Sequence, residues 1–382
     1  MKQLWRLTTG FVFILITSLM ISCGGGDDGP AVSTGYLKDS SVAGLNYVSG
    51  GRSGVTGADG SFRYEVGKNV TFSLGGVTVG TAPGKKVVTP VDFVASGSST
   101  STEVQNIVRF LLLLDEDGDP DNGISINTTV LGSVVDSWSV DFSTADLATD
   151  LAPIILALTN LSYGNTTLPD ATTAQTHLEA TMRCSYAGAF TGTYGGDSSG
   201  QFGVLVDAVT GDVYGAAYDV VDDVVSEIYG SQGLSYDQDA SFVSGNVSDG
   251  STFSGSFPTV DRITGNWSNS IWSEAGTFSG SRIGGSINAA YRFTGYYYGD
   301  SYGLFSIDVD ASDNFTGVAY DIPEDNLLTI SGSVSGSLIT GSASDGTTIS
   351  GTLDTSTGSL NGDWNTIDGN SGIFIGGGCK LN

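Results

Sequence analysis

Polar and apolar residues follow three different periods along the chain. Between residues 35 and 80 they alternate, as in Ser61 to Val66 and Val70 to Leu74, with glycine and aspartate at the intervening turns. This pattern predicts short strands joined by hairpins. Between residues 102 and 184 apolar residues recur every three or four positions, which predicts helices. From residue 186 to 379 the alternation returns, with runs about ten residues apart that indicate an antiparallel meander.

The middle region predicts three helices. Val104, Ile107, Val108 and Leu111 share one face of a first helix, and the apolar residues on its other faces predict that it is buried. A second helix is predicted from about 144 to 159, although a proline lies inside it. A third is predicted from about 170 to 183. The three helices form one module between two β regions.

An internal duplication covers the last half of the chain. The matched segments, given in pairs, are 190–194 with 293–297, 217–219 with 319–321, 249–255 with 345–351, and 265–267 with 362–364. Each copy contains seven or eight strand-like runs. A meander of this length either closes into a small barrel or packs as two sheets. The pattern therefore predicts two tandem β repeats, residues 185–284 and 285–382.

The charge of the chain excludes one class of partner. Forty-one acidic residues outweigh 14 basic ones, which gives a formal net charge of −27. Such a chain repels phosphate, so we predict no nucleic-acid partner. His177 is the only histidine, so multi-histidine zinc sites are also excluded.

The first 23 residues have the pattern of an export signal. Two basic residues precede the apolar run Leu7 to Ile21, which is too short for a comfortable membrane span. The run ends in Leu-Met-Ile-Ser-Cys and resembles the lipobox of bacterial lipoproteins, in which the cysteine, here Cys23, becomes the acylated N-terminus. The alternative is an ordinary cleaved signal peptide. The resemblance implies a signal peptide at 1–22, a flexible tether at 23–34, a lipid anchor and an outer-membrane location, on the periplasmic or the cell-surface side.

Acylation of Cys23 would leave two thiols, Cys184 and Cys379. In an oxidising compartment pairing is the default, so we predict a disulfide between them, with two buried free thiols as the alternative. The bond would join the beginning of the duplicated region to its end.

Two further resemblances concern the β regions. The turn Ala58-Asp59-Gly60-Ser61-Phe62 is similar to those of small carboxypeptidase-regulatory and Cna-B sandwiches, which implies a sandwich-like domain at 35–100. The Gly-x-Tyr and Gly-x-Phe steps of the duplicated half resemble the barrels of transferrin-binding-type surface lipoproteins, which present loops to partner proteins. With the helical module at 101–184, the fold class is mainly β, and the chain resembles a group of proteobacterial outer-membrane lipoproteins.

An acidic turn follows the first helix. Asp115, Asp117 and Asp119 stand at alternate positions, as in calcium loops, and Asp121 follows them. The EF-hand pattern fails because Pro120 and Ile126 replace its glycine and its bidentate glutamate. The turn is either a structural Ca²⁺ site that staples the helix to the next strand or a solvated acidic loop.

Catalytic patterns are weak in this sequence. Gly196 to Gly200 fit the G-x-S-x-G pattern of hydrolases, but strands flank the motif on both sides and residues 299–303 repeat it, so we interpret it as a hairpin turn. His177 lies in a predicted helix as an ordinary helix histidine. We therefore predict no enzyme activity and no catalytic residues.

The densest aromatic cluster is at 296–302. Tyr296, Tyr298 and Tyr302 are candidates for binding a partner, and alternation places Tyr297 on the opposite face. The alternative is that these rings fill a barrel or girdle its rim. The leading hypothesis is a binding module for an extracellular protein or glycan. A structural envelope lipoprotein and a hydrolase acting on an extracellular polymer are the alternatives.

Overall fold

A computed structural model describes residues 30–230, 234–238, 240–324 and 326–381, and only the backbone of 241–244. The predicted signal peptide, Cys23 and most of the predicted tether lie outside these residues. The part from Val32 onward forms one compact unit.

The N-terminal part contains small sheets that pack on a shared core. The strands are β1 (Val32–Leu37), β2 (Val42–Ala43), β3 (Asn46–Ser49), β4 (Arg52–Val55), β5 (Ser61–Glu65), β6 (Asn69–Leu74), β7 (Val77–Pro83), β8 (Val87–Val88) and β9 (Ile124–Ser125). One sheet has the order β4-β3-β6-β7, another β5-β1-β8, and β2 pairs with β9. Phe62 of β5 and Phe72 of β6 meet edge to face at 5.0 Å, so alternate residues from two sheets fill the space between them.

The described residues contain four α-helices between the β regions. They are α1 (Thr102–Leu114), α2 (Thr128–Leu131), α3 (Leu147–Asn160) and α4 (Ala171–Tyr186). Asp146 and Asp170 cap α3 and α4, since each carboxylate accepts a hydrogen bond from an amide in the first turn. These caps set the starts of the two helices. None of the described helices is long and apolar enough to cross a membrane.

The first repeat is a closed barrel. Within its described residues the strands are β10 (Gly188–Gly196), β11 (Gly200–Val206), β12 (Val213–Asp219), β13 (Val224–Tyr229), β14 (Ser241–Val247), β15 (Thr252–Thr259), β16 (Arg262–Asn269) and β17 (Glu274–Arg282). Each strand pairs with the next, and β10 closes the barrel against β17.

The second repeat has the same architecture. Within its described residues the strands are β18 (Tyr291–Gly299), β19 (Gly303–Val309), β20 (Asn314–Asp321), β21 (Asn326–Ser335), β22 (Leu338–Ala343), β23 (Thr348–Asp354), β24 (Ser359–Asn365) and β25 (Ser371–Lys380). β18 closes against β25. The mainly β fold class and the two tandem repeats are confirmed, and of the two alternatives the structure forms barrels.

The helical module and both barrels meet at the end of α4. Tyr186 packs on Phe257 of the first barrel at 5.2 Å between ring centroids, so the helical core continues into that barrel. The Arg292 guanidinium of the second barrel donates to the carbonyl oxygen of Ala187 at 2.9 Å. Cys184 of α4 and Cys379 of β25 form a disulfide. The second barrel therefore has a covalent and a hydrogen-bonded connection to the last helix.

Candidate functional site

Each barrel encloses a cavity. The first has a volume of about 580 Å³ and the second about 440 Å³. Alternation along the strands sends every second side chain inward, and the inward residues of the first barrel are mostly apolar. They include Phe202, Val204, Ile228, Phe253, Ile263 and Phe278. The corresponding residues of the second include Phe305, Ile307, Ile330, Ile339, Leu360 and Phe374.

A cluster of four side chains lines the first cavity near the hairpin between β10 and β11. The Ser198 hydroxyl and the Tyr194 hydroxyl both donate to Asp219 Oδ2, the latter at 3.3 Å. The Tyr194 ring meets the Trp267 ring edge to face at 5.9 Å. The Trp267 indole Nε1 donates to the carbonyl oxygen of Gly195 at 3.3 Å.

The second barrel repeats this cluster. Ser301 Oγ donates to Asp321 Oδ2 at 2.6 Å, and the Tyr297 hydroxyl donates to the same oxygen at 3.1 Å. Tyr297 meets Trp364 edge to face at 5.9 Å. The copies differ at the indole. Trp364 is 7% exposed and its Nε1 has no hydrogen-bond partner among the described residues.

Hydrogen bonds keep Asp219, the aspartate of the first cluster, charged. Burial raises the pKa of Asp219, but the hydrogen bonds from Ser198 and two loop amides outweigh burial and hold its pKa below the usual value. Burial and the adjacent carboxylate raise the pKa of Tyr194 and Tyr297, so both hydroxyls stay protonated as donors. The first cluster is therefore a carboxylate held by two neutral hydroxyl donors.

Five acidic side chains line each cavity. In the first barrel they are Asp197, Asp219, Asp222, Asp249 and Glu274. In the second they are Asp300, Asp321, Glu324, Asp345 and Asp368. They come from alternate hairpins, and alternate hairpins of a meander lie at one end of its barrel. Each cavity therefore combines an apolar interior with one acidic end.

Apolar side chains project from the same hairpins. Val221, between β12 and β13, is 71% exposed, and Ile271, between β16 and β17, is 70% exposed. Trp272 is also exposed, and Ile367, between β24 and β25, is 87% exposed. Val221, Ile271 and Trp272 belong to the first barrel and Ile367 to the second, so exposed apolar side chains stand at the acidic end of each barrel.

The three tyrosines predicted to bind a partner lie outside the cavities. Tyr296, Tyr298 and Tyr302 are each about half exposed, whereas Tyr297 lines the second cavity. Alternation along β18 accounts for the division among Tyr296, Tyr297 and Tyr298, and Tyr302 lies in the hairpin that follows. The exposed rings are accessible, and their role in binding stays a prediction.

The predicted calcium loop is held by its own hydrogen bonds. Asp117 accepts from the Asp119 amide at 2.9 Å, and Asp119 accepts from the Asp121 amide at 3.2 Å. Asp115 is fully buried, and its Oδ1 accepts from the Ser125 amide at 2.9 Å. Among the described residues no three acidic, histidine or cysteine side chains are grouped to hold a metal ion. The four aspartates as placed do not form a complete calcium site.

Ser198 lies in a hairpin, as the sequence predicted, because β10 ends at Gly196 and β11 begins at Gly200. His177 of α4 instead lies beside Asp39, with Nε2 3.5 Å from Oδ1. The serine and the only histidine of the chain therefore have different partners. This arrangement is not that of a serine hydrolase.

The sequence pattern did not predict the cavities or the repeated Tyr, Ser, Asp and Trp cluster. A signal was present, since the matched segments of the duplication contain Tyr194, Asp219 and Trp267 and their counterparts. The sequence did not provide the strand register, which brings side chains 25 to 73 residues apart along the chain to one end of the barrel.

Comparison with known proteins identifies no family. No protein-family model and no curated protein matches the chain. Among solved structures, a transferrin-binding protein B variant from Haemophilus parasuis matches with 12% identity over 51% of this chain and 75% of that one, at a TM-score of 0.18. Transferrin-binding protein B from Neisseria meningitidis matches with 12% identity over 48% and 52%, at 0.18.

A DUF3598-family protein of unknown function from Nostoc punctiforme matches with 12% identity over 53% of this chain and 98% of that one, at a TM-score of 0.19. At such TM-scores the class of the protein rests on its own strand pairing. The chain is a two-barrel β protein with an N-terminal sheet and helix region.

Proposed function

We propose that the chain is a non-enzymatic outer-membrane lipoprotein, anchored through acylated Cys23, whose duplicated barrels bind an extracellular protein or glycan. One observation supports binding above all. Each barrel has an open cavity with a Tyr, Ser, Asp and Trp cluster at one end, and exposed apolar side chains stand on hairpins of that end. A concave apolar site with a few convergent polar groups is the usual form of a binding site.

The alternatives have less support. A structural envelope lipoprotein would account for the disulfide and the closed barrels, but not for open cavities with exposed apolar tips. A serine hydrolase of the Ser-His type would need a histidine beside Ser198, and His177 lies beside Asp39 instead. The repeated serines have a simpler role, which is to hold the cluster aspartates.

Surface exposure can be tested with a specific protease site. The site is inserted between Gly336 and Ser337, in the hairpin that joins β21 to β22 at the end opposite the acidic one. A Cβ at Gly336 would meet no atom within 4 Å, so the insertion has room. We expect the added protease to cleave the full chain on intact cells.

The matched control carries the same insertion and Cys23→Ala. Without acylation this chain stays in the periplasm, so the protease should cleave it only after the outer membrane is permeabilised. Protection of the anchored chain on intact cells would contradict an extracellular partner and favour the structural alternative. Equal fractionation of both chains with soluble proteins would contradict the lipid anchor.

A structural Ca²⁺ at the acidic loop is a further proposal. It is supported by Asp115, whose buried Oδ2 has no hydrogen-bond partner among the described residues. Burial raises the pKa of Asp115 to about 6, and a cation would offset that cost.

We expect millimolar Ca²⁺ to stabilise the purified protein by about 1–3 kcal/mol. Thermal unfolding with Ca²⁺ and with chelator measures this gain. Asp115→Asn should abolish it, and Asp136→Asn, on an exposed site, should not. The same melting temperature with and without Ca²⁺ would contradict the proposal.

A further inference from the structure

We propose that each barrel cavity binds a small organic cation: an ammonium group held at the acidic end, with an apolar chain inside the barrel. This inference rests on the proposed role of the barrels in binding, and it adds a small-molecule ligand inside each cavity to the protein or glycan partner outside. It follows from the volume, the charge and the aromatic lining of the cavities.

The volume favours a small molecule. Cavities of about 580 and 440 Å³ fall within the range of small-molecule sites, which is roughly 300–1,000 Å³. An eight-stranded barrel has room inside for side chains or for one small ligand. A folded partner would contact the hairpin tips without filling the interior. The apolar interior therefore calls for a ligand with an apolar part of its own.

The charge of the lining favours a cation. Among the described residues, five acidic side chains line each cavity, and no lysine, arginine or histidine lines either one. Carboxylates at the end of a low-dielectric cavity attract a cation and repel an anion more strongly than they would in water. A fatty acid, which is the simplest apolar ligand for a barrel, would place its carboxylate against these charges. The same chain with an ammonium group has the complementary sign.

Aromatic rings stand beside the carboxylates. Tyr194, Trp267 and Trp272 line the first cavity, and Tyr297 and Trp364 line the second. An ammonium group over such a ring gains a cation–π interaction in addition to the ion pair. Rings and carboxylates together are a combination that suits alkylated ammonium groups.

The second cavity also contains an unpaired donor. Trp364 is nine-tenths buried, lines the cavity, and has no acceptor for its Nε1 hydrogen among the described residues. A buried donor without a partner is costly, and because this Nε1 is buried from solvent, a ligand oxygen next to the ammonium group would satisfy it once the indole turns toward the cavity. In the first cavity Gly195 already accepts from Trp267. We therefore expect an oxygen near the cation to matter in the second barrel only.

Hexanoylcholine is the probe, because it combines a trimethylammonium group, an ester oxygen and an apolar chain. Its carbon isostere, 3,3-dimethylbutyl hexanoate, has the same shape without the charge, and hexanoate has the opposite charge. Titration calorimetry on the purified mature chain should show two sites for hexanoylcholine. Binding of the isostere should be at least about tenfold weaker, and hexanoate should not bind.

Variants assign the sites. Asp222→Asn with Glu274→Gln should weaken the first site about tenfold, and Glu324→Gln with Asp368→Asn the second. Asp363→Asn with Asp136→Asn removes as many exposed charges elsewhere and should change neither site. Trp364→Phe should weaken the ester probe in the second barrel and leave the first barrel unchanged.

Cavity-filling variants give an independent test. Ala217 and Ala319 line the two cavities at matched positions of the duplication, and Ala217→Trp or Ala319→Trp should each remove one site. If a filled variant misfolds by circular dichroism, the charge variants decide the question. Equal affinity for probe and isostere, unaltered binding in the charge variants, or no binding at all would overturn the inference.

The two proposals fail separately. If hexanoylcholine does not bind while the protease site is cleaved on intact cells, the ligand is wrong and surface display stands. If hexanoylcholine binds while the anchored chain is protected on intact cells, the cavity assignment stands and the extracellular location is wrong.

Discussion

Arg292 and Asp308 form a buried ion pair beside the end of α4. Arg292 is 1% exposed, and its Nε lies 2.8 Å from Asp308 Oδ1. Its Nη2 donates to Asp308 Oδ2 at 2.8 Å, and Nη1 reaches the Ala187 carbonyl. Removing one partner of such a pair leaves the other charge buried without compensation.

Arg292→Ala should therefore lower the free energy of unfolding by about 3–5 kcal/mol. Urea unfolding followed by tryptophan fluorescence measures the change. The control is Arg262→Ala on an exposed position of β16, which should cost less than about 0.5 kcal/mol. Similar losses in the two variants would show that the pair contributes little.

The same pair shows what could be predicted at this scale. Arg292 and Asp308 face each other directly across β18 and β19. Once a hairpin is placed at residues 300–302, that pairing can be counted from the sequence. The contact with Ala187 could not be counted, because it depends on how α4 meets the barrel.

Asp39 is a residue whose charge should couple stability to pH. It is fully buried, and burial raises its pKa to about 6, although nearby His177 opposes the shift. A carboxyl group with a raised folded-state pKa binds more protons folded than unfolded between about pH 4 and pH 6. The folding stability that the neutral Asp39 carboxyl group contributes is therefore present in full below about pH 4 and is lost as the pH rises through about 6.

Asp39→Asn should remove this loss of unfolding free energy, which is at most about 3 kcal/mol because the pKa of Asp39 rises by about two. The measurement is the unfolding free energy of each chain at pH 4, 5, 6 and 7, which should fall less steeply with pH in the variant than in the native chain. His177→Gln is the companion variant, and it should retain a fall with pH because Asp39 stays buried. Identical pH profiles for Asp39→Asn and the native chain would contradict the assignment.

At the scale of elements, two hairpins depend on glycine. Gly196 ends β10 at a φ of 140°, and Gly299 ends β18 at a φ of 148°. A Cβ at Gly196 would lie 2.3 Å from the carbonyl oxygen of Ala275, which is backbone and cannot move aside. Both the conformation and the contact exclude a larger residue.

Gly196→Ala should cost about 1–3 kcal/mol. Gly195→Ala is a close control, because a Cβ there would meet no atom within 4 Å. Chemical denaturation measures the unfolding free energy of both variants, and only Gly196→Ala should lower it. Equal stabilities would show that the hairpin adapts.

Elements were predictable where the signal is local. Helical spacing predicted the ends of α3 and α4 to within three residues and the buried character of α1, because caps and apolar periods are encoded nearby. The four-residue helix α2 was missed, since it is too short to show a period. Barrel closure was not decided by alternation, because it depends on β10 meeting β17 and β18 meeting β25 across about 90 residues.

At the scale of the whole molecule, the Cys184–Cys379 bond joins α4 to the last strand over a separation of 195 residues. Loop closure of that length restricts the unfolded chain, and removing such a bond costs about 2–5 kcal/mol. Cys184→Ser with Cys379→Ser should therefore lower the urea midpoint by the corresponding amount. Reduction of the native chain should reproduce the loss, and an unchanged midpoint in both experiments would contradict it.

Each barrel also closes on its own first and last strands, so neither needs the other to cover a sheet edge. A gene segment that encodes one barrel could therefore be copied or deleted without leaving a strand to aggregate. Once copied, two cavities in one chain are free to diverge, one keeping its ligand while the other changes. The two indoles already differ: Trp267 donates to Gly195 inside its barrel, and Trp364 has no acceptor among the residues that the structure describes.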